Sequence, residues 1–181
     1  MKRAFFVGRF QPLHNAHLKV IKSILKDNDE IIIGIGSSQE KDTFENPFSF
    51  KERKEMITKC LKEEKISRFR ILPVPDLFDD RKWVDYIIRK IPKFNSVYSG
   101  NPWTIRCFRK NKVNIKKIRL IKGLSSTIIR DRMIKDSGWK ELVPDKIFDF
   151  IIDIKGDERL KKSKPGNTYK PGKIWEHHEK F

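Results

Sequence analysis

Two histidines and an arginine lie close together just after the first apolar run of the chain. Residues 5–17 read FFVGRFQPLHNAH, so Arg9 precedes His14 and His17, which are three residues apart. Histidines at this spacing share one side of a helix, where they could hold a phosphate, bind a metal ion or cap the helix. Arg9 adds a permanently charged donor that suits phosphate. No third metal ligand and no nucleophile lie nearby, but spacing alone leaves the three uses open.

A second polar group occurs near residue 126. The segment LSSTIIR follows an apolar run and begins a helical pattern, with Ser126 and Thr127 at the helix start and Arg130 one turn later. Hydroxyl groups and free N–H groups at a helix N-terminus can hold a phosphate. An ordinary serine-capped helix is the alternative interpretation of this segment.

Short apolar runs alternate with helical patterns along most of the chain. This order predicts βαβ units and an α/β fold with a parallel sheet of about five strands flanked by helices. Near-continuous apolar character suits strands that are buried on both faces. The predicted strands are 4–8, 30–36, 69–74, 96–100 and 118–121. The predicted helices are 15–27, 49–63, 82–91, 126–135 and 144–154.

In an open α/β sheet, ligands bind beyond the carboxyl ends of the strands, where the following helices begin. Both polar groups occupy such positions, His14 and His17 after the first strand and Ser126 after the fifth. Phosphate binding suits both positions, while a metal site or cap for the histidines and a simple serine cap for the second segment stay open on the residues alone. Residues 1–155 are expected to form this domain, and the lysine-rich residues 156–181, with two Pro-Gly pairs, are expected to form an irregular tail.

The bulk composition limits the function classes. The chain of 181 residues has a formal net charge of +17 at pH 7, but its basic residues are interleaved with acids and form no clear stripe, so a nucleic-acid partner is not expected. No apolar stretch is long enough for a membrane span, and no signal peptide is evident. Two cysteines form no disulfide framework, and we expect a cytoplasmic protein.

The ordered motifs resemble those of the archaeal-type nicotinamide-mononucleotide (NMN) adenylyltransferases, in the HxGH nucleotidyltransferase superfamily. GRFQPLHNAH is similar to the GRFQPxHxGH form of the family, and IIIGIGS to its second strand. ENPFSFKER, SGNP and LSSTIIRDRM match further family segments in the same order. The matches cover residues 3–153. They imply the Rossmann-like nucleotidyltransferase fold and a reaction in which ATP and NMN give NAD⁺ and pyrophosphate.

The resemblance implies a role for each matching residue. His14, His17 and Arg130 would stabilise the charge of the departing pyrophosphate, and the NMN phosphate would attack directly, so no protein nucleophile is needed. Mg²⁺ would accompany ATP, and a homo-oligomer is expected. The residues expected to contact ATP or its phosphates are Gly8, Arg9, Phe10, Asn101, Ser126 and Thr127.

The nicotinamide end of the site is predicted from two further positions. Trp83 would stack on the cationic pyridinium ring, although a core tryptophan on an amphipathic helix is the alternative. Asp76 matches a family acid near the nicotinamide, but it could equally cap a helix. Asn101 could shape the nucleotide pocket or simply make a turn.

One residue in the first motif departs from the family pattern, since Ala16 occupies the place of a glycine. One methyl group at a helical position predicts a tighter pocket that is still active. Two rival functions stay open on the sequence. The first is a related adenylyl- or cytidylyltransferase with another phosphate acceptor, and the second is a non-catalytic basic module that binds nucleotides or RNA.

Overall fold

The computed structural model describes residues 1–109, 111, 113–119 and 123–163. These residues form one five-stranded parallel sheet in the order β3-β2-β1-β4-β5. The strands are β1 Arg3–Gly8, β2 Glu30–Ile35, β3 Phe69–Pro73, β4 Ser96–Ser99 and β5 Asn114–Lys117. The helices are α1 Asn15–Asp27, α2 Phe50–Glu63, α3 Asp80–Lys90, α4 Pro102–Arg109, α5 Ser126–Ile134, α6 Asp145–Asp153 and α7 Gly156–Lys162, with a 3₁₀ turn at Lys140–Leu142. None of the described helices is long and apolar enough to cross a bilayer.

The sheet has a hydrophobic core on each face, because successive side chains of a strand point to opposite faces. Phe6 and Ile33 belong to the larger core, to which α1, α2, α5, α6 and α7 contribute. Phe5 and Ile32 belong to the smaller core, which α3 and α4 complete. The sheet is thus enclosed between two helical layers, and this arrangement explains the continuous apolar runs of β1 and β2.

Local sequence signals define the starts of the predicted helices. Ser49 caps α2 and exchanges hydrogen bonds with Glu52 in a capping box, as its sequence spacing predicts. Asp79 accepts a hydrogen bond from the Lys82 N–H and caps α3. All five predicted helices are confirmed, with ends that differ by at most two residues from the predicted ones.

The prediction for the fifth strand is wrong. The strand is Asn114–Lys117 rather than 118–121, and it pairs only with β4 at the edge of the sheet. An edge strand is partly solvated, so polar side chains suit it, and three of its four residues are exposed. Residues 118 and 119 have no regular structure, and 120–121 lie outside the described residues.

Two helices were not among the predicted elements. α4 begins at Pro102 directly after the SGNP turn, and α7 occupies residues 156–162, so the expectation of irregular structure is wrong for that segment. Leu160 of α7 is fully buried in the larger core, and Arg159 forms an ion pair of 2.7 Å with Glu52. Residues 164–181 of the predicted tail lie outside the described residues. The division of the chain at residue 155 stays a prediction.

Candidate active site

A cleft of about 1180 Å³ opens at the carboxyl end of the sheet. In the sheet, the chain leads from β1 to β2 on one side and from β4 to β5 on the other side, so the strand order reverses between β1 and β4. Doubly wound sheets bind their ligands at such a reversal, beyond the carboxyl ends of the strands. All the residues predicted from sequence to form a site line this cleft. They are Gly8, Arg9, Phe10, His14, His17, Asp76, Trp83, Asn101, Ser126, Thr127 and Arg130.

The two histidines form a reciprocal cap at the start of α1. The His17 N–H donates to Nδ1 of His14, and the His14 N–H donates to Nδ1 of His17, each at 3.4 Å. Their rings stack with centroids 3.6 Å apart and an angle of 19° between the planes. Because Nδ1 accepts in both residues, a neutral ring carries its hydrogen on Nε2. The cap therefore selects the tautomer and leaves one N–H donor on each ring.

Burial keeps both imidazoles neutral. The pKa of His14 is lowered from 6.5 to about 4, chiefly because the side chain is removed from water. Burial also lowers the pKa of His17 well below its ordinary value, and the neighbouring His14 adds to the effect. At neutral pH the pair can thus donate two hydrogen bonds to a phosphate without a proton transfer. Ala16 lies between the two histidines and is 8% exposed, at the wall of the cleft.

The segment between β1 and α1 places Arg9 at the cleft. Phe10 is buried, and its ring lies 4.9 Å from the ring of His17 and 5.5 Å from that of Phe6. Gly8 allows this packing, because a Cβ atom there would lie only 3.0 Å from the Phe10 ring. The exposed Arg9 lies in the chain between Gly8 and the buried Phe10, and it lines the cleft.

The start of α5 is joined to the same segment across more than a hundred residues of sequence. The Ser126 hydroxyl donates to the Pro12 carbonyl at 3.0 Å, and Nη1 of Arg130 donates to the Gln11 carbonyl at 2.9 Å. The helix cap itself is Ser125, whose hydroxyl accepts from the Ile128 N–H. These bonds hold the N-termini of α1 and α5 against one cleft, where both helix dipoles favour an anion.

Arg130 is a buried cation with incomplete hydrogen bonding. It is 3% exposed, and its Nε atom has no partner. Nη2 donates to the Thr127 hydroxyl at 3.4 Å. Burial and the nearby Arg9 lower the pKa of Arg130 to about 10, so the group is still charged at neutral pH. A buried unpaired donor and a retained charge beside a cleft suit an anionic ligand.

Aromatic side chains and acids also line the cleft. Trp83 is only 4% exposed and packs in the smaller core, where its ring centroid lies 4.7 Å from that of Trp103. Trp103 is held by a hydrogen bond of 3.0 Å from its Nε1 to Asp80. Trp83 is therefore both a core residue and part of the cleft wall, so the two interpretations from sequence do not exclude each other.

The structure gives the hydrogen bonds of two loop residues for which the sequence left alternatives. Asp76 does not cap α3, since Asp79 does, and the Asp76 carboxylate accepts instead from Nε2 of Gln39 at 3.4 Å. Asn101 accepts from the Trp103 N–H at 2.9 Å and so makes the turn into α4, while it also lines the cleft.

Sequence reasoning missed two residues that shape the cleft. Trp103 follows Asn101 and Pro102, and the proline is a helix-start signal that the sequence analysis did not use. Gln11 is 1% exposed, and its amide group exchanges hydrogen bonds of 2.9 and 3.0 Å with the main chain of Phe48. No sequence pattern distinguishes such a buried glutamine from a surface one.

The cleft offers no nucleophilic thiol. Cys60 and Cys107 are buried away from it, and burial raises the pKa of each to about 12. In the part of the chain that the structure describes, no group of three or more His, Cys, Asp or Glu side chains could hold a metal ion. A Rossmann-like sheet with two helix N-termini, neutral histidine donors, a buried arginine and an exposed one at one cleft is typical of a nucleotide-binding protein.

Comparisons with known proteins agree with this class. Residues 5–132 match the cytidylyltransferase-like family. The chain is 40% identical over 165 residues to the nicotinamide-nucleotide adenylyltransferase of Thermococcus kodakarensis, a match that covers 89% of this chain and 88% of the relative. It is 42% identical to the enzyme of the same name from Saccharolobus solfataricus, over 89% and 96% of the two chains. The chain belongs to the cytidylyltransferase-like family and, within it, to the archaeal nicotinamide-nucleotide adenylyltransferases.

A solved structure supports the fold. A bifunctional NMN adenylyltransferase/ADP-ribose pyrophosphatase from Francisella tularensis superposes with a TM-score of 0.75 at 26% identity. The match covers 89% of this chain and 52% of the bacterial one, so the chain spans about half the length of that protein. The common part is the Rossmann-like nucleotidyltransferase fold.

Proposed function

We propose that the protein transfers the adenylyl group of ATP to the 5′-phosphate of NMN, which gives NAD⁺ and pyrophosphate. The observation that carries the proposal is the joining of α1 and α5 at one cleft through Ser126 and Arg130. Two helix N-termini and their side chains can then act on one polyphosphate. The names of the relatives agree with this reaction.

The proposed mechanism needs positioning and charge stabilisation, and no covalent enzyme intermediate. The NMN phosphate oxygen attacks the α-phosphorus of ATP, and the bond to the pyrophosphate oxygen breaks. His14 and His17 donate from Nε2 to phosphate oxygens, and Arg9 and Arg130 supply positive charge as the pyrophosphate leaves. Gly8, Phe10, Ser126, Thr127 and Asn101 shape the surroundings of the nucleotide.

We assign the acceptor end of the cleft to Trp83 and Asp76. A cationic pyridinium is attracted to the face of an aromatic ring and to a carboxylate, and both kinds of side chain line the cleft. The basic end would then hold the phosphates, so the charge of the cleft matches that of the two substrates. Trp103 extends the aromatic wall next to Trp83.

A divalent cation is expected to enter with ATP. The phosphates carry the oxygen ligands that Mg²⁺ prefers, and Mg²⁺ commonly keeps several of its waters. The described residues form no metal cage of their own, so we write the substrate as MgATP. A cytoplasmic location and a homo-oligomeric state stay predictions from the sequence and the family resemblance.

The test is a direct assay with the purified protein. MgATP and NMN should yield NAD⁺ and pyrophosphate in equal amounts. A parallel set of acceptors, namely nicotinic acid mononucleotide and phosphopantetheine, ranks the alternatives. Turnover of phosphopantetheine without NAD⁺ formation would contradict the proposal, and MgATP binding without transfer to any acceptor would indicate a binding module.

A further inference from the structure

Arg53 is a completely buried arginine whose hydrogen bonds all end on main-chain carbonyl groups. It lies near the start of α2 and is 0% exposed. Nη1 donates to the Arg9 carbonyl at 2.9 Å and to the Gly36 carbonyl at 2.8 Å, and Nη2 donates to the Ser37 carbonyl at 3.0 Å. Two longer bonds reach the carbonyls of Ser49 and Glu40. One guanidinium therefore joins the segments that follow β1 and β2 to the start of α2.

The joined segments border the cleft. Arg9, Gly36 and Ser37 all line it, and the Gly36 N–H donates to the Gly8 carbonyl at 2.8 Å. Ser37 has a positive φ of 47°, which main-chain propensity alone does not favour. The Gly36–Gly8 hydrogen bond joins the two loops, and the Arg53 guanidinium binds a carbonyl group of each loop, those of Arg9 and Gly36. Arg53 therefore helps to hold Arg9 in its position at the cleft.

The charge of Arg53 is not neutralised by an ion pair. Among the described residues, no carboxylate oxygen forms a salt bridge with it. Burial and the nearby Arg9 lower its pKa to about 10, against the opposing influence of Asp76 and Glu52, so it is charged at neutral pH. A buried charge is costly to stability, and an apolar side chain often serves a core better. Next to a phosphate site, however, an unneutralised cation increases the affinity for an anion.

We propose that Arg53 is a positioning residue of the ATP site, which fixes Arg9 and the Gly36–Ser37 turn and adds positive potential beneath the phosphates. Its effect on turnover rests on the proposed adenylyl transfer, whereas its effect on MgATP binding can be measured without NMN. Arg53 is completely buried and does not line the cleft, so it acts through the segments that it holds.

The experiment compares R53M and R53K with the wild-type protein. Isothermal titration calorimetry measures MgATP and pyrophosphate binding, and steady-state assays separate kcat from the KM values of ATP and NMN. R53M should bind MgATP at least about tenfold more weakly, because both the charge and the loop contacts are lost. R53K keeps the charge and should regain part of this affinity, but one ammonium cannot reach both loops, so kcat stays low. The KM of NMN should change little in R53K.

Met56→Ala is the matched control, because Met56 lies on the same helix and is fully buried in the larger core. It removes buried apolar packing but no residue that lines the cleft, so it should lower stability and still bind MgATP like the wild type at a temperature where circular dichroism shows it to be folded. Equal loss of affinity in M56A and R53M, or unchanged binding in R53M, would overturn the proposal. If R53M does not fold, the test rests on R53K, and a wild-type kcat in R53K would also overturn the proposal. A wild-type protein that binds MgATP without forming NAD⁺ would refute the proposed function and leave the binding comparison valid.

Discussion

The two histidines at the start of α1 use their ring nitrogens for different purposes. Nδ1 of each accepts a main-chain hydrogen bond, which leaves Nε2 available at the cleft. The residue types and their spacing left phosphate, metal and a helix cap open, but they did not predict that the two rings would cap each other's main-chain N–H groups, because an N-cap is usually serine, threonine, aspartate or asparagine. Each of the two rings thus caps the main chain through Nδ1 and is expected to bind a phosphate through Nε2.

His17→Ala should lower kcat by about 100-fold, because a donor aimed at the charge of the transition state is lost. The KM of NMN should change by much less, since we assign His17 to the phosphates of ATP. Steady-state kinetics with both substrates varied would measure the two effects. Lys19→Ala is the control, because Lys19 is exposed on the same helix. A His17→Ala enzyme with wild-type kcat would remove His17 from the mechanism.

The histidine cap also predicts a pH dependence of stability. The pKa of His14 is about 4 in the folded protein, against an ordinary value of 6.5 that applies to the unfolded chain. Above pH 6.5 both states are neutral; as the pH falls from 6.5 towards 4, only the unfolded chain gains the proton, so the free energy of unfolding decreases. His14 alone should account for about 1 kcal/mol at a pH of about 5.5. Urea unfolding of wild type and His14→Ser, which retains a good cap residue, would show a shallower decline in the variant; equal slopes would argue against the neutral buried ring.

At the scale of elements, local sequence patterns predicted the buried strands and the helices. They did not predict the edge strand or the contacts between segments that are distant in the sequence. β1 and β2 are apolar because both of their faces are buried, and α2 has a capping box that is visible in the sequence. β5 has no such signal, since an edge strand with one neighbour can be polar. Nothing local shows that Ser126 and Arg130 bond to residues 12 and 11, because that contact exists only after the sheet has formed.

Substitutions in α7 can test the domain boundary that the sequence predicted at residue 155. Leu160→Ala should lower the free energy of unfolding by about 3 kcal/mol, because Leu160 is fully buried in the larger core. Lys162→Ala, at an exposed position of the same helix, should change it by less than about 0.5 kcal/mol. Chemical denaturation measures both. If the two variants unfold at the same denaturant concentration as the wild type, α7 contributes nothing to the fold and the boundary at residue 155 is supported.

At the scale of the whole molecule, the charge of the chain matches the charge of the proposed substrate. The formal net charge is +17, and the buried cations Arg53 and Arg130 lie beside the cleft. MgATP is anionic, whereas NMN combines a phosphate with a cationic ring. A positive protein attracts the more anionic ligand from a distance, and dissolved salt screens that attraction.

We therefore expect the KM of MgATP to rise several-fold as NaCl increases from about 50 mM to about 500 mM, because the Debye length falls from roughly 14 Å to roughly 4 Å. The KM of NMN should rise less, and kcat should stay nearly constant, since the contacts of the bound complex are short and partly shielded from solvent. Initial rates at saturating Mg²⁺ would measure all three constants. Glycine betaine at the same osmolality is the control, as it alters water activity without adding ions. A KM of MgATP that is insensitive to NaCl, or that responds equally to betaine, would mean that the net charge serves a purpose other than nucleotide capture.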